Sequence, residues 1–127
     1  MMKKATIKVL LVEPMEQPRV IEIENTLEAM QKTVGGYIEA LPIADEVSIV
    51  CNEEGKLEGL QANRGVYHEG KLVDIICGAF FVCAAPLDSE NFESLTDEQL
   101  LHYTEVYKHP ELFFRTPQGI AAIKVDG

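Results

Sequence analysis

The stretch LVDIICGAFFVCAA, residues 72–85, decides the fold. Ile75, Ile76, Phe80, Phe81 and Val82 are β-branched or aromatic, so the run reads as a buried central strand rather than a helix. Gly78 interrupts it. A glycine inside a strand marks a bulge or the close approach of another backbone or a ligand, and a helix crossing over the sheet is the expected reason.

Working back from this strand, residues 52–56, Asn-Glu-Glu-Gly-Lys, carry the chemistry of a type I turn closed by a G1 bulge at Gly55, with residues 56–60 as the returning strand. Residues 61–71 show no periodicity and read as a long loop, the kind that carries function in compact domains. Residues 37–41 and 47–52 are two further strands separated by a turn at Pro42. A short amphipathic helix is expected over residues 26–34, capped by Asn25 with Glu28, with Leu27, Met30 and Val34 at helical spacing and Gly35-Gly36 as its exit. Residues 6–12 are apolar on both faces and hence a central strand, whereas residues 19–24 place Ile21 and Ile23 inward and Glu22 and Glu24 outward.

Forward of the strand, Pro86 and an acidic loop lead to a second helix with Thr96 as N-cap, Gln99 at its third position and Leu95 placed to staple onto Leu100. It stops by His109, because Pro110 disfavours helical geometry in the residue before it. Residues 112–115 and 120–125 flank Thr116-Pro117-Gln118-Gly119 and predict a terminal hairpin. The expected fold is α+β: a single domain over residues 1–127, with a mixed, largely antiparallel sheet and two short helices.

The 127 residues, 46% apolar and 25% charged, exclude a disordered chain and a two-domain enzyme with its own cofactor module. Eleven Lys and Arg against 21 Asp and Glu leave a net charge of −10, a field that repels phosphate backbones and anionic lipid, so neither nucleic acid nor membrane is an expected partner. The basic opening Met1-Met2-Lys3-Lys4 precedes an apolar run too short for a signal peptide, and the cytoplasm is the expected location.

No catalytic residue, metal ligand or cofactor is expected. His68, His102 and His109 lack metal-site spacing. Cys51, Cys77 and Cys83 sit among apolar neighbours, where thiols stay reduced and unreactive. Phosphate-binding glycine motifs and the nucleophile elbow are absent. The segment that hairpin geometry leaves unexplained is NEEGKLEGLQANR, residues 52–64. Arg64 is one of three arginines, and its planar fork suits bidentate capture of a carboxylate or phosphate. Tyr37, Asn52, Asn63 and Arg64 form the candidate ligand site.

The blocks NTLEAMQKTVGGYIEAL (25–41), CNEEGKLEGLQANR (51–64), VDIICGAFFVC (73–83) and SLTDEQLLHY (94–103) resemble an uncharacterised family of small proteins. It is a domain of unknown function carried by phages, conjugative plasmids and integrated elements of Firmicutes and Actinobacteria. The resemblance covers about residues 8–103, with NEEGKL-x-GL and VGGY its most specific blocks. Gln61-Ala62 departs from the proline-containing step before the Asn-Arg pair, and residues 104–127 stand outside the pattern as a terminal extension. The resemblance implies a mobile-element setting and no chemistry.

Three functions follow as expectations. The first is a non-catalytic binding module for a host protein or a small anionic ligand, with homodimerisation open. The second is an interaction protein whose acidic faces, Glu13, Glu16, Glu22 and Glu24 and separately Asp88, Glu90, Glu93, Asp97 and Glu98, imitate DNA to occupy a defence protein. The third is a small hydrolase or transferase using Glu53 or Asp74 with His68.

Overall fold

The computed structural model describes residues 5–126; Met1-Met2-Lys3-Lys4 lies outside them. A five-stranded sheet has the order β2-β1-β7-β4-β3, built from β1 (Thr6–Val12), β2 (Arg19–Glu24), β3 (Ile38–Ala44), β4 (Val47–Asn52) and β7 (Phe80–Ala84). Two ribbons accompany it, β5 (Ala62–His68) with β6 (Lys71–Cys77) and β8 (Glu111–Thr116) with β9 (Gly119–Lys124). Every ladder between these strands is antiparallel. The fold is α+β, with the terminal hairpin in place.

The central strands are apolar on both faces because both faces are covered. Leu10, Val12, Val47, Ile49, Phe80 and Val82 pack with Leu95, Leu100, Tyr103 and Tyr107, under α2 (Asp97–Val106). Phe80 meets the Tyr107 ring edge-on at 5.4 Å. On the other face Ile7, Val9, Val50, Phe81 and Cys83 pack against Met30 and Val34 of α1 (Leu27–Val34). Among the described residues no helix is long and apolar enough to cross a membrane.

The N-cap of α2 is the expected one, and that of α1 is shifted by one residue. Thr96 accepts from the Gln99 N–H while the Gln99 side chain accepts from the Thr96 N–H, a complete capping box. For α1 the cap is Thr26, which accepts from the Ala29 N–H, and Asn25 instead donates to the Phe92 carbonyl at 3.0 Å. Of its apolar stripe, Met30 and Val34 are buried and Leu27 is exposed.

The run at residues 72–85 is two strands rather than one. Gly78 adopts φ 86 and turns the chain out of the β5–β6 ribbon into the main sheet. The left-handed φ is what requires glycine; the nearest atom to a Cβ there would be Leu60 Cδ1 at 2.7 Å, a side-chain tip and not a crossing helix. Residues 56–60 form turns instead of a returning strand, because β4 already has β3 on one edge and β7 on the other. Gly55 is not left-handed either. Its missing side chain admits the Cys77 carbonyl, 2.5 Å from where a Cβ would stand.

The expected loop over residues 61–71 is mostly β5. Its pairing slips between Ala62 and Arg64, and this bulge turns two consecutive polar side chains, Asn63 and Arg64, into the interior.

Candidate functional site

Asn52 lies at the end of β4, where its side-chain oxygen accepts from the Glu54 N–H at 2.8 Å and its amide donates to the Val34 carbonyl at 3.4 Å. The Glu53 N–H donates to the Tyr37 carbonyl at 2.8 Å. Gly36 lies so close that a Cβ on it would be 2.8 Å from Asn52 Nδ2. The VGGY and NEEG blocks, distant in sequence, are therefore the two halves of one junction. Tyr37, 70% exposed, and Asn52 border a concavity of about 470 Å³ with Gln31, Glu54 and Glu58.

Asn63 and Arg64 are elsewhere. Both are fully buried. Asn63 donates to the Val12 and Gly78 carbonyls, each at 2.9 Å. The Arg64 guanidinium donates to Tyr107 O at 2.9 Å, Glu16 O at 2.7 Å and Asn63 Oδ1 at 2.9 Å. Burial lowers its pKa, while the carboxylate of Glu111 and the Tyr107 ring oxygen pull the other way. Glu111 is itself buried, accepting from the Gly65 N–H and from Tyr67 OH at 2.6 Å. The expected anion-capturing fork is thus spent on joining the loop at Glu16, the end of α2, and β5. The physical reason is that the carbonyl oxygens at the end of α2 and in the Glu16 loop are acceptors without a helix or strand donor, and a multidentate guanidinium supplies one to each.

Two more concavities flank the turns of residues 53–59. One of about 370 Å³ is bordered by Glu39, Cys51, Asn52, Glu53, Glu54, Lys56, Asp74 and Cys77. The other, of about 500 Å³, is bordered by Lys56, Leu72, Val73, Asp74, Ile75 and Ile120. The first shares Asn52 and Glu54 with the Tyr37 concavity, and Lys56, Asp74, Ile75 and Cys77 with the apolar one. The three adjoin through these shared residues as an acidic furrow with Glu39, Glu53, Glu54, Glu58 and Asp74 along it and, among the described residues, Lys56 as the one lining cation. Lys56 is paired with Asp74. Burial disfavours the Asp74 carboxylate, but Lys56 and the Ile75 N–H outweigh it and hold its pKa below the ordinary value.

Residues 7–108 match the family model described as Domain of unknown function (DUF3846). The chain belongs to this family. No curated protein and no solved structure matches it significantly. The matched DUF3846 segment contains the whole acidic part of the furrow, whereas Glu111 and Ile120 lie beyond it.

Two thiols line the furrow, and neither is activated. Burial, with Glu39 and Asp74 adding to it, pushes Cys51 up to about 11, and burial raises Cys77 as well. Burial alone takes Cys83 to about 12. At pH 8 both Cys51 and Cys83 are held overwhelmingly as thiols. Cys51 and Cys83 should therefore resist a disulfide reagent in the native state and react fully once urea unfolds the chain. Rapid native labelling of either, followed by mass spectrometry of peptides, would contradict this. Among the described residues no group of three or more His, Cys, Asp or Glu could hold a metal ion. His68 is exposed and does not border the concavity of Glu53 and Asp74.

The furrow's contribution from β6 and the terminal hairpin had no signal in the sequence. Asp74 and Ile120 are 46 positions apart, and only tertiary packing brings them to one rim.

Proposed function

We propose that this DUF3846 chain is a non-catalytic binding module of a mobile element, working in the cytoplasm, whose furrow accepts a cationic, apolar-flanked segment of a partner protein. The observation that supports it is the convergence of five carboxylates on one concave surface that continues into an apolar wall of Leu72, Val73, Ile75 and Ile120. Charged rims of this kind steer encounter and fix register, while the apolar wall supplies affinity. The inward turn of Arg64 favours a protein segment over a small anionic ligand. DNA mimicry ranks behind it, because the acids it would use are spread over separate faces and Glu13 is paired with Arg19 at 3.1 Å.

Titration calorimetry with a short Lys/Leu peptide and its Glu/Leu counterpart tests the reading. The Lys/Leu peptide should bind, weaken roughly tenfold as salt rises from ~50 to ~300 mM, and lose affinity in Glu53→Gln/Glu54→Gln. Equal binding of both peptides, or none, would remove it.

A further inference from the structure

Burial in the terminal ribbon is confined to one polar side chain. Among the described residues of β8 and β9 only Glu111 is buried, at 5% exposure, and neither apolar cluster of the body takes a residue from these strands. The two strands pair only with each other. The ribbon's buried anchor is therefore a carboxylate, whereas a lone hairpin ordinarily depends on an apolar face packed against its neighbours.

The pocket that receives this carboxylate is built by β5. The Gly65 N–H donates to one Glu111 oxygen at 3.3 Å and the Tyr67 hydroxyl to the other at 2.6 Å. A Cβ on Gly65 would stand 2.5 Å from Leu72 Cδ1 and 2.9 Å from Tyr67 Cε2, so the bare backbone leaves room for the ring whose hydroxyl completes the pair of donors. Burial, and then the bond to Glu111, push that hydroxyl up to about 12, and it stays a donor throughout the neutral range. Charge is the third component. Tyr107 O, Glu16 O and Asn63 Oδ1, which accept from the buried Arg64, are all neutral, so its N–H groups are satisfied while its charge is answered by the nearby Glu111 carboxylate. A buried cation selects an anion, and one donor for each oxygen suits a carboxylate.

We propose that Gly65, Tyr67 and Arg64 form a carboxylate-binding site in which Glu111 is the resident ligand, and that a small free carboxylate takes its place and releases the ribbon. The exchange replaces the anchoring contact group for group: the guanidinium keeps a compensating charge and both donors keep an acceptor, while β8–β9 loses the one side chain that buries it. The matched family segment, residues 7–108, holds all three residues of the site and ends before Glu111. Neither Tyr67 nor Glu111 borders the furrow, so the site stands whatever the furrow accepts. Ile120 does border it, and release of the ribbon withdraws that residue from the furrow's apolar end.

Thermal unfolding and amide hydrogen exchange of the full chain in sodium formate, with sodium chloride at equal ionic strength as reference, give the test. Glu111→Ala vacates the site. Formate up to ~200 mM should raise its unfolding midpoint saturably, by at least about 3 °C over chloride, and Glu111→Ala/Tyr67→Phe should lose most of that gain. In Glu111→Ala formate should slow exchange at the Gly65 amide and leave the β8–β9 amides fast, because the new ligand is not tethered to the ribbon. If Glu111→Ala is unfolded, recovery of native circular dichroism in formate and not in chloride reads the same binding. Glu111→Gln, which keeps an acceptor without the charge, should stay folded and exchange its ribbon amides roughly tenfold faster than wild type, with β1, β4 and β7 unchanged. In the wild type ~1 M formate, above the millimolar effective concentration of a flexibly tethered group, should speed ribbon exchange where chloride does not. Absence of a formate-specific effect on Glu111→Ala, or a gain undiminished by Tyr67→Phe, overturns the site. A wild-type ribbon that formate leaves unmoved overturns the release.

Discussion

Arg64→Met should cost about 3–5 kcal/mol of unfolding free energy, the range for removing one member of a buried, hydrogen-bonded charge network. Methionine fills much of the space but donates nothing. The carbonyls of Glu16 and Tyr107 and the side-chain oxygen of Asn63 then lose their shared donor in a region closed to water. The electrostatic attraction between the guanidinium and the nearby Glu111 carboxylate is lost as well. Arg64→Lys should recover less than half, since an ammonium cannot span three acceptors held in a planar fork. Urea denaturation followed by circular dichroism gives the numbers. The double variant Arg64→Met/Glu111→Leu should be more stable than the sum of the single losses, because it leaves no uncompensated charge. A loss below about 1 kcal/mol for Arg64→Met would mean that solvent reaches the guanidinium and that the network does not organise the fold.

Gly78→Val should cost about 2–5 kcal/mol. The left-handed conformation at φ 86 charges any side chain about 1–2 kcal/mol, more for a β-branched one, and crowding against Leu60 adds about 1–3 kcal/mol. Asn63 holds the carbonyl of this residue at 2.9 Å and the Gln61 carbonyl accepts its N–H at 2.8 Å, so the chain has little room to relax. Gly78→Asn should lose clearly less, since asparagine tolerates the left-handed region. Equal losses for Asn and Val would assign the cost to Leu60 alone. Val unchanged would show that the turn between β6 and β7 can be made another way.

Local chemistry explains what could be read from the residues. The capping box of α2, the terminal hairpin and the two-faced apolar character of β1 and β7 depend on neighbours within a few positions, and each emerged as expected. The failures share another origin. Residues 72–85 are apolar on both sides of Gly78, so periodicity cannot show that β6 belongs to one sheet and β7 to another. Asn63-Arg64-Gly65 has the composition of a loop, and it becomes strand because distant carbonyls, those of Val12, Glu16 and Tyr107, satisfy the polar side chains. The choice of Asn52 and Tyr37 as neighbours came from segments that do meet. The pairing of Asn63 and Arg64 with them did not survive the bulge at β5, which reverses the side a residue faces.

The strand order β2-β1-β7-β4-β3 also sets a timetable for synthesis on the ribosome. β1 can pair with β2 almost as soon as both exist, but its other edge belongs to β7, roughly 70 residues later. At about 5–20 residues per second, that edge waits about 4–14 s. During that interval Leu10 and Val12, whose cover comes from α2, have no roof, and β1 keeps an open row of backbone donors and acceptors, the template on which strands of different chains join. The arrival of residues 80–84 fills the gap between β1 and β4 at once. Yield in the cell is then governed by how quickly that last central strand is delivered, and slowing translation between β2 and β7 should raise the aggregated fraction without altering the stability of the finished protein.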